Sequence, residues 1–231
     1  MRLSQSALKK EYIPALEGMR SLAVLAVLFF HLEINFFPGG FLGVDLFFVI
    51  SGFIITRNLL FDLERQRFSL KDFYYRRFRR IIPALVATIF ITLLCAVVIV
   101  PAAELALTAK SAVYSLLSLG NINFWLESGY FDSSAHTKPL LHTWSLSVEE
   151  QFYILWPTLL LIAASFRWRV LLAFSLLLAS LALSGYYERS IPEGVFFLLP
   201  FRIHQFMAGG AGRDSRSERG WNSGQYLNVN R

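Results

Sequence analysis

A chain of 231 residues in which 55% are hydrophobic and only 16% are charged does not have the composition of a soluble globular domain. Apolar runs close to the roughly 20 residues that cross a bilayer core recur along it, and the reading is an all-α, polytopic transmembrane helix bundle. The net charge of +6 does not point to nucleic acid, because the lysines and arginines gather at the edges of the apolar runs. The single cysteine, Cys95, excludes an internal disulfide and a cysteine-based metal site.

The first run, Ser21 to Phe37, follows Lys9 and Lys10 and lacks a small-residue cleavage site behind it, so it reads as a retained span and not a removed signal. Arg20 and His31 bracket an uncharged stretch on this helix. Eleven steps of about 100° bring His31 within roughly 20° of Arg20, about 16 Å along the axis. An arginine at a helix end commonly snorkels, and a lone histidine on an apolar helix commonly packs. Their shared face, with more polar residues downstream, weighs toward a functional site.

A Pro38-Gly39-Gly40 turn leads into the second run, Phe41 to Phe61. Asp45 near its start is close in depth to His31, so it either orients the imidazole or caps the helix. Ser51 and Gly52, at mid-span, read as residues that permit close helix packing. The link that follows holds Arg57, Arg65, Arg67, Lys71, Arg76, Arg77, Arg79 and Arg80 before the third run, Ile81 to Val100. Arg77 and Arg80, three apart, share a helix face that can grip phosphates through forked guanidinium contacts; a topology signal anchored among lipid headgroups is the plainer reading.

Leu105 to Trp125 is moderately apolar but carries Lys110, Asn121 and Asn123. Counting it as a span would put Arg167 and Arg169 outside, against the positive-inside rule, so Ala102 to Pro139 is read as a long outer loop dipping toward the membrane. The fourth run, Leu140 to Ala164, brings in Glu149 and Glu150. Two carboxylates entering an apolar run are costly unless partnered, and the spacings Ser145 to Glu149 and Glu150 to Tyr153 require at least one to face protein. His136 and His142 lack a third ligand at a suitable spacing, so no metal site is expected. A fifth run, Val170 to Leu183, leads to the Gly185 to Gly194 loop, and a last run, Val195 to Gly212, returns. The expected arrangement is six spans with the N-terminus cytoplasmic. Residues 213–231 have the composition of a disordered tail, which sets them apart from the membrane part, 1–212.

The stretches ALEGMRSLAVLAVLFFH, GGFLGVDLFFVISGF, FYYRRFRRIIPAL and PLLHTWSLSVEEQFYILWP, in this order, resemble the membrane-bound acyltransferase family three, whose members O-acylate cell-surface glycans. The likeness covers about Tyr12 to Ala208. It implies that Arg20 and His31 form the family's Arg-or-Lys, ten residues, His signature for acyl transfer. It also implies that Arg77 and Arg80 form its cytoplasmic Arg-x-x-Arg motif, and Glu149 and Glu150 its acidic motif. The usual Leu-Asp-Gly-Leu-Arg-Gly reads here Leu16-Glu17-Gly18-Met19-Arg20-Ser21, and the family domain has around ten spans where this sequence shows about six.

The resemblance implies an enzyme of the inner, cytoplasmic membrane that moves an acyl group, acetyl above all, from a cytoplasmic CoA thioester to a hydroxyl of lipopolysaccharide, peptidoglycan or exopolysaccharide. No bound cofactor is expected; acetyl-CoA is a donor substrate. Arg77 and Arg80 would meet the donor's phosphates, His31 would act as general base or transient acyl acceptor, and Asp45, Glu149 or Glu150 would orient it or take its proton. The alternatives are an inactive truncated fragment and a proton-coupled transporter using the same intramembrane charges as a relay. In a Cys95→Ser background, cysteines placed at Ser69 and Ser134 should be labelled from opposite sides of the membrane; labelling of both from one side refutes the expected topology.

Overall fold

A computed structural model describes residues 13–32, 39–128, 137–163 and 165–210, and these are helical with short connections. In chain order the helices are α1 (Pro14–His31), α2 (Leu42–Glu64), α3 (Leu70–Ile99), α4 (Ala102–Leu116), α5 (Gly120–Glu127), α6 (Thr143–Ile162), α7 (Phe166–Tyr187), α8 (Pro192–Phe197) and α9 (Leu199–Gly210). By length and hydropathy, α1, α2, α3 and α7 are each able to cross a membrane. The bundle is thus an all-α, multi-pass membrane protein, and its outer faces bear this out: Phe90 is 67% exposed and Val98 84%. Such surfaces are stable only against hydrocarbon or further protein.

Local signals set the helix ends. Pro14 occupies the first turn of α1, where its missing N–H costs nothing, so this helix starts earlier than the apolar run suggested. Ser69 caps α3 by accepting the Asp72 N–H at 3.3 Å. The basic stretch expected as a link is mostly helix: α2 continues through Arg57 to Glu64, and Lys71 to Arg80 form the first turns of α3. Thirty residues make α3 about 45 Å long, enough for its basic turns to stand clear of a 30 Å core.

Helices α2, α6 and α9 run parallel and in register. Between α2 and α6 the matched levels are Phe48 with Trp144, Ser51 with Glu149, and Thr56 with Trp156, whose indole donates to the threonine hydroxyl at 2.8 Å. Between α2 and α9 they are Asp45 with Arg202 and Gly52 with Phe206. The ends where these three helices begin are called the top below. Helix α1 runs antiparallel to α2, with Ala23 and Ala26 over Gly43 and Gly40, and α7 runs antiparallel to α9, with Ser180 at His204 and Ser184 at Phe201. The core between them is aromatic: Phe206 stacks on Phe48 and on Phe152, which in turn stacks on Trp156.

The expected outer loop from Ala102 to Pro139 is instead a helical hairpin as far as Glu127. Helices α4 and α5 turn back on each other at Ser118, whose φ is 59°, and Lys110 bridges to Glu127 at 3.0 Å. The tip enters the bundle beside the middle of α6. There Gly120 N–H donates to Ser147, Ser115 and Thr143 share a hydrogen bond of 2.7 Å, and Asn121 pairs with Gln151. These polar pairings are why the hairpin is only moderately apolar and yet buried. The last expected span is likewise interrupted, into α8 and α9 at Leu198, with Pro200 in the first turn of α9. The expected tail, residues 213–231, lies outside the described residues, as does His136.

The α2/α9 seam depends on absent side chains. A Cβ added at Gly52 would fall on the Phe206 carbonyl, and one at Gly209 on the Val49 carbonyl. Gly52→Val should therefore force the two backbones apart and destabilise the protein by about 1–3 kcal/mol, seen as a lower thermal midpoint in detergent. A Gly52→Val protein with the wild-type midpoint would show that this seam does not exist.

Candidate active site

The expected site residues fall into a line and a separate pair. The line starts on α1. The stripe of α1 against α2 is Ala23, Ala26, Val27 and Phe30; Arg20 and His31 lie about 80° round the helix from it, on the flank of the seam. His31 is exposed near the top, and its Nδ1 is 2.8 Å from the Val27 carbonyl oxygen. A carbonyl only accepts, so Nδ1 carries the proton in the neutral ring and Nε2 keeps a free lone pair. His142, at the start of α6, stands close enough to His31 for the two rings to interact electrostatically.

Seven residues further along α6, about 10 Å deeper, Glu149 takes hydrogen bonds from Ser51 of α2 and from Tyr153 of its own helix, both on Oε1. The Arg77 guanidinium, from α3, sits 4.9 Å over the Tyr153 ring, within electrostatic reach of Glu149, Arg80 and Arg20. Arg77 is turned inward and half-buried, whereas Arg80, one turn on, is exposed. The structure thus brings Arg20, Arg77, Arg80 and Glu149 from three helices into one cluster below His31. Glu150 points the other way and accepts from Ser118 at the hairpin tip. Its partner is a hydroxyl of the α4–α5 hairpin, not His31.

Asp45 is a correction. It neither caps α2, where Phe41 is the cap and no side chain bonds it, nor orients His31. It pairs with Arg202 of α9 at 3.0 Å, and Gln205 adds a hydrogen bond. Arg202 also donates to the Phe196 carbonyl at 2.9 Å and lies over the rings of Phe196 and Trp144, at 5.0 and 5.7 Å. A buried guanidinium one helix away outcompetes an exposed imidazole for the carboxylate. Among the described residues, no three His, Cys, Asp or Glu side chains gather as a metal site would require.

The profile of the acyltransferase domain, acyltransferase family 3, matches residues 13–227. The chain belongs to that family. Among its relatives, the peptidoglycan O-acetyltransferase OatA of Listeria monocytogenes is 42% identical over 156 residues, covering 66% of this chain and 25% of that protein. The putative peptidoglycan O-acetyltransferase YrhL of Bacillus subtilis is 43% identical over 154 residues, 65% of this chain and 24% of that one. The O-acetyltransferase OatA of Staphylococcus aureus is 40% identical over 151 residues, 63% and 24%. The matched part of the chain spans about a quarter of the length of these relatives. No solved structure matches it significantly.

Within this family 3 bundle, sequence reasoning gave Ser51 a packing role only, and passed over Arg202 and the nearness of His142 to His31. Ser51 carried no signal beyond a polar atom at mid-span. Tyr153 was noticed for its spacing from Glu150, but its i, i+4 spacing from Glu149 is the one the helix uses. The Asp45–Arg202 pair yields a test of its structural role. Arg202 is 13% exposed and Asp45 31%, so Asp45→Asn should cost on the order of 2 kcal/mol, below the 3–5 kcal/mol of a fully buried pair. Asp45→Asn with Arg202→Met should recover part of that loss in a double-mutant cycle of thermal stability. Additive losses would mean that the pair does not couple α2 to α9.

Proposed function

We propose that this chain is the membrane part of an O-acetyltransferase that passes an acetyl group from acetyl-CoA to a hydroxyl of a cell-wall glycan. The observation that carries the reading is the cluster in which Arg77 leaves the basic surface of α3 to lie over Tyr153, within reach of Arg20, Arg80 and Glu149. With Arg20 and Arg80 within electrostatic reach of Arg77 and only one carboxylate among them, the cluster is net positive, the charge that the phosphates of a CoA thioester require. From that cluster the Arg20 face of α1 climbs about 16 Å to His31. The basic turns of α3 support a cytoplasmic lower end by the positive-inside rule, with His31 further into the membrane on the way to the opposite side. The names of the Listeria and Bacillus relatives support peptidoglycan as the acceptor.

The chemistry follows from the His31 tautomer. With Nδ1 committed to the Val27 carbonyl, Nε2 is the atom able to take a proton or an acyl group. As a base, Nε2 removes the proton from the sugar hydroxyl while that oxygen attacks the thioester carbonyl; the C–S bond breaks, and the imidazolium returns its proton to the leaving thiolate. As an acceptor, Nε2 itself attacks the carbonyl and expels the thiolate, and the sugar oxygen then takes the acetyl group, freeing Nε2, and passes its proton to the thiolate. Both routes end in the same ester and free CoA. Arg20, on the same face but about 16 Å below, adds its charge to the donor-binding end of that path.

His31→Ala should lower glycan acetylation by about 100-fold or more while the protein stays in the membrane at wild-type level. Acetylation at the wild-type rate sinks the assignment, and loss of the protein from the membrane would return His31 to a packing role. Arg77→Ala combined with Arg80→Ala should act differently, raising the KM for acetyl-CoA, because those residues are placed to bind donor and not to move protons.

A further inference from the structure

The hydroxyl groups of Ser51 and Tyr153 converge on a single oxygen of Glu149, and they come from different helices. Both bond Oε1, so that atom's lone pairs are committed and the carboxylate plane is fixed from two directions. The Tyr153 side chain has a second job at its other surface. Its ring carries the Arg77 guanidinium at 4.9 Å, a cation–π contact that holds Arg77 off the exposed row formed by Arg76, Arg79 and Arg80. Tyr153 is 6% exposed and Ser51 4% exposed, so neither side chain is at the surface, where a substrate would first meet the protein. One tyrosine therefore touches two charged residues of the cluster, with chemically separable parts: the hydroxyl for Glu149 and the ring for Arg77.

We propose that Ser51 and Tyr153 are positioning residues for the acyl-transfer site: together they lock Glu149 with Oε1 occupied, leaving Oε2 open to the acyl path between Arg77 and His31, while the Tyr153 ring sets Arg77 for the donor's phosphates. This rests on the acyltransferase reading above. The arrangement also explains why a carboxylate and a guanidinium sit this close without a direct ion pair. A salt bridge would neutralise Arg77 and take up Oε2, whereas an aromatic ring between them keeps both charges available to ligands.

The two parts of Tyr153 can be removed one at a time. Tyr153→Phe keeps the ring and deletes the hydroxyl; it should lower kcat about 10-fold and leave the KM for acetyl-CoA unchanged, a loss of about 1.4 kcal/mol in transition-state stabilisation. Tyr153→Leu deletes both and should add a rise in that KM, matching Arg77→Leu. In a Glu149→Gln background, Tyr153→Phe should cost less than about twofold more, since a residue that acts through Glu149 has nothing further to position. Equal losses in both backgrounds, or a Tyr153→Phe enzyme with wild-type kcat, overturns the proposal. An activity-independent arm accompanies these. The infrared carboxylate band that disappears in Glu149→Gln should shift in Tyr153→Phe and in Ser51→Ala, and an unshifted band overturns the proposal. A wild type that transfers no acetyl group would instead overturn the acyltransferase reading, and the infrared arm would still decide the positioning.

Discussion

The contact between the backbones of α2 and α9 is the constraint on which the rest of this bundle hangs. Gly52 and Gly209 let the helices approach until carbonyl oxygens of one occupy the space of a missing Cβ on the other. In hydrocarbon no hydrophobic force drives helices together, so close packing of this kind is a main source of association. Because α6 stacks its Phe152 on Phe206 of α9, the seam also fixes the level of α6. That level places Ser51 opposite Glu149, six residues beyond the Asp45–Arg202 pair on α2, and so decides that a carboxylate in the middle of the bundle has a partner.

A second constraint acts on every charge that the bundle admits. An unpartnered ion in a medium of low dielectric is expensive, and the structure meets this in three distinct ways. Asp45 and Arg202 neutralise each other and are boxed by aromatic rings. Glu150 is met by a hydroxyl brought in on the tip of a helical hairpin. Glu149 and Arg77 make no direct ion pair and are touched by neutral groups, two hydroxyls on the one and the rings of Tyr153 and Phe73 on the other. Neutral support leaves net charge in place, which is what separates a site from a clamp. The charges of α2 and α9 at the top hold helices together; those of α1, α3 and α6 remain available.

The sequence made the fold class legible because hydrophobic runs of membrane length are a composition-level signal; α2 falls close to its expected limits, whereas α3 starts well before its apolar run, at Leu70. It also made the Arg20–His31 line legible, since helical period alone puts the two on one face. What it hid depends on pairings across the chain. Asp45 and Arg202 are 157 residues apart, and no spacing rule links them. The stretch from Ala102 defeated the reading for a related reason: its buried Ser111, Ser115, Asn121 and Asn123 look like loop residues until α6 supplies Thr143, Ser147 and Gln151 to face this hairpin. Polarity in a segment states that a partner is needed, but not where the partner is.

The placement of His31 brings these strands together. Helix α1 meets α2 through one narrow stripe, in which Gly40 and Gly43 accept the backbones of Ala26 and Ala23, and Ala23 alone is buried in the helix. A helix held by so little surface has few side-chain contacts to fix its rotation, so the two glycines do most of that work. A Cβ at either would strike an α1 carbonyl and push the helix outward, turning the Arg20–His31 line away from His142 and the Arg77 cluster. Much of α1 is therefore left open beside the seam, as the proposed passage of a long thioester and a glycan would require. The same glycines that close the α1/α2 contact thus set how the Arg20–His31 line is turned toward the rest of the bundle.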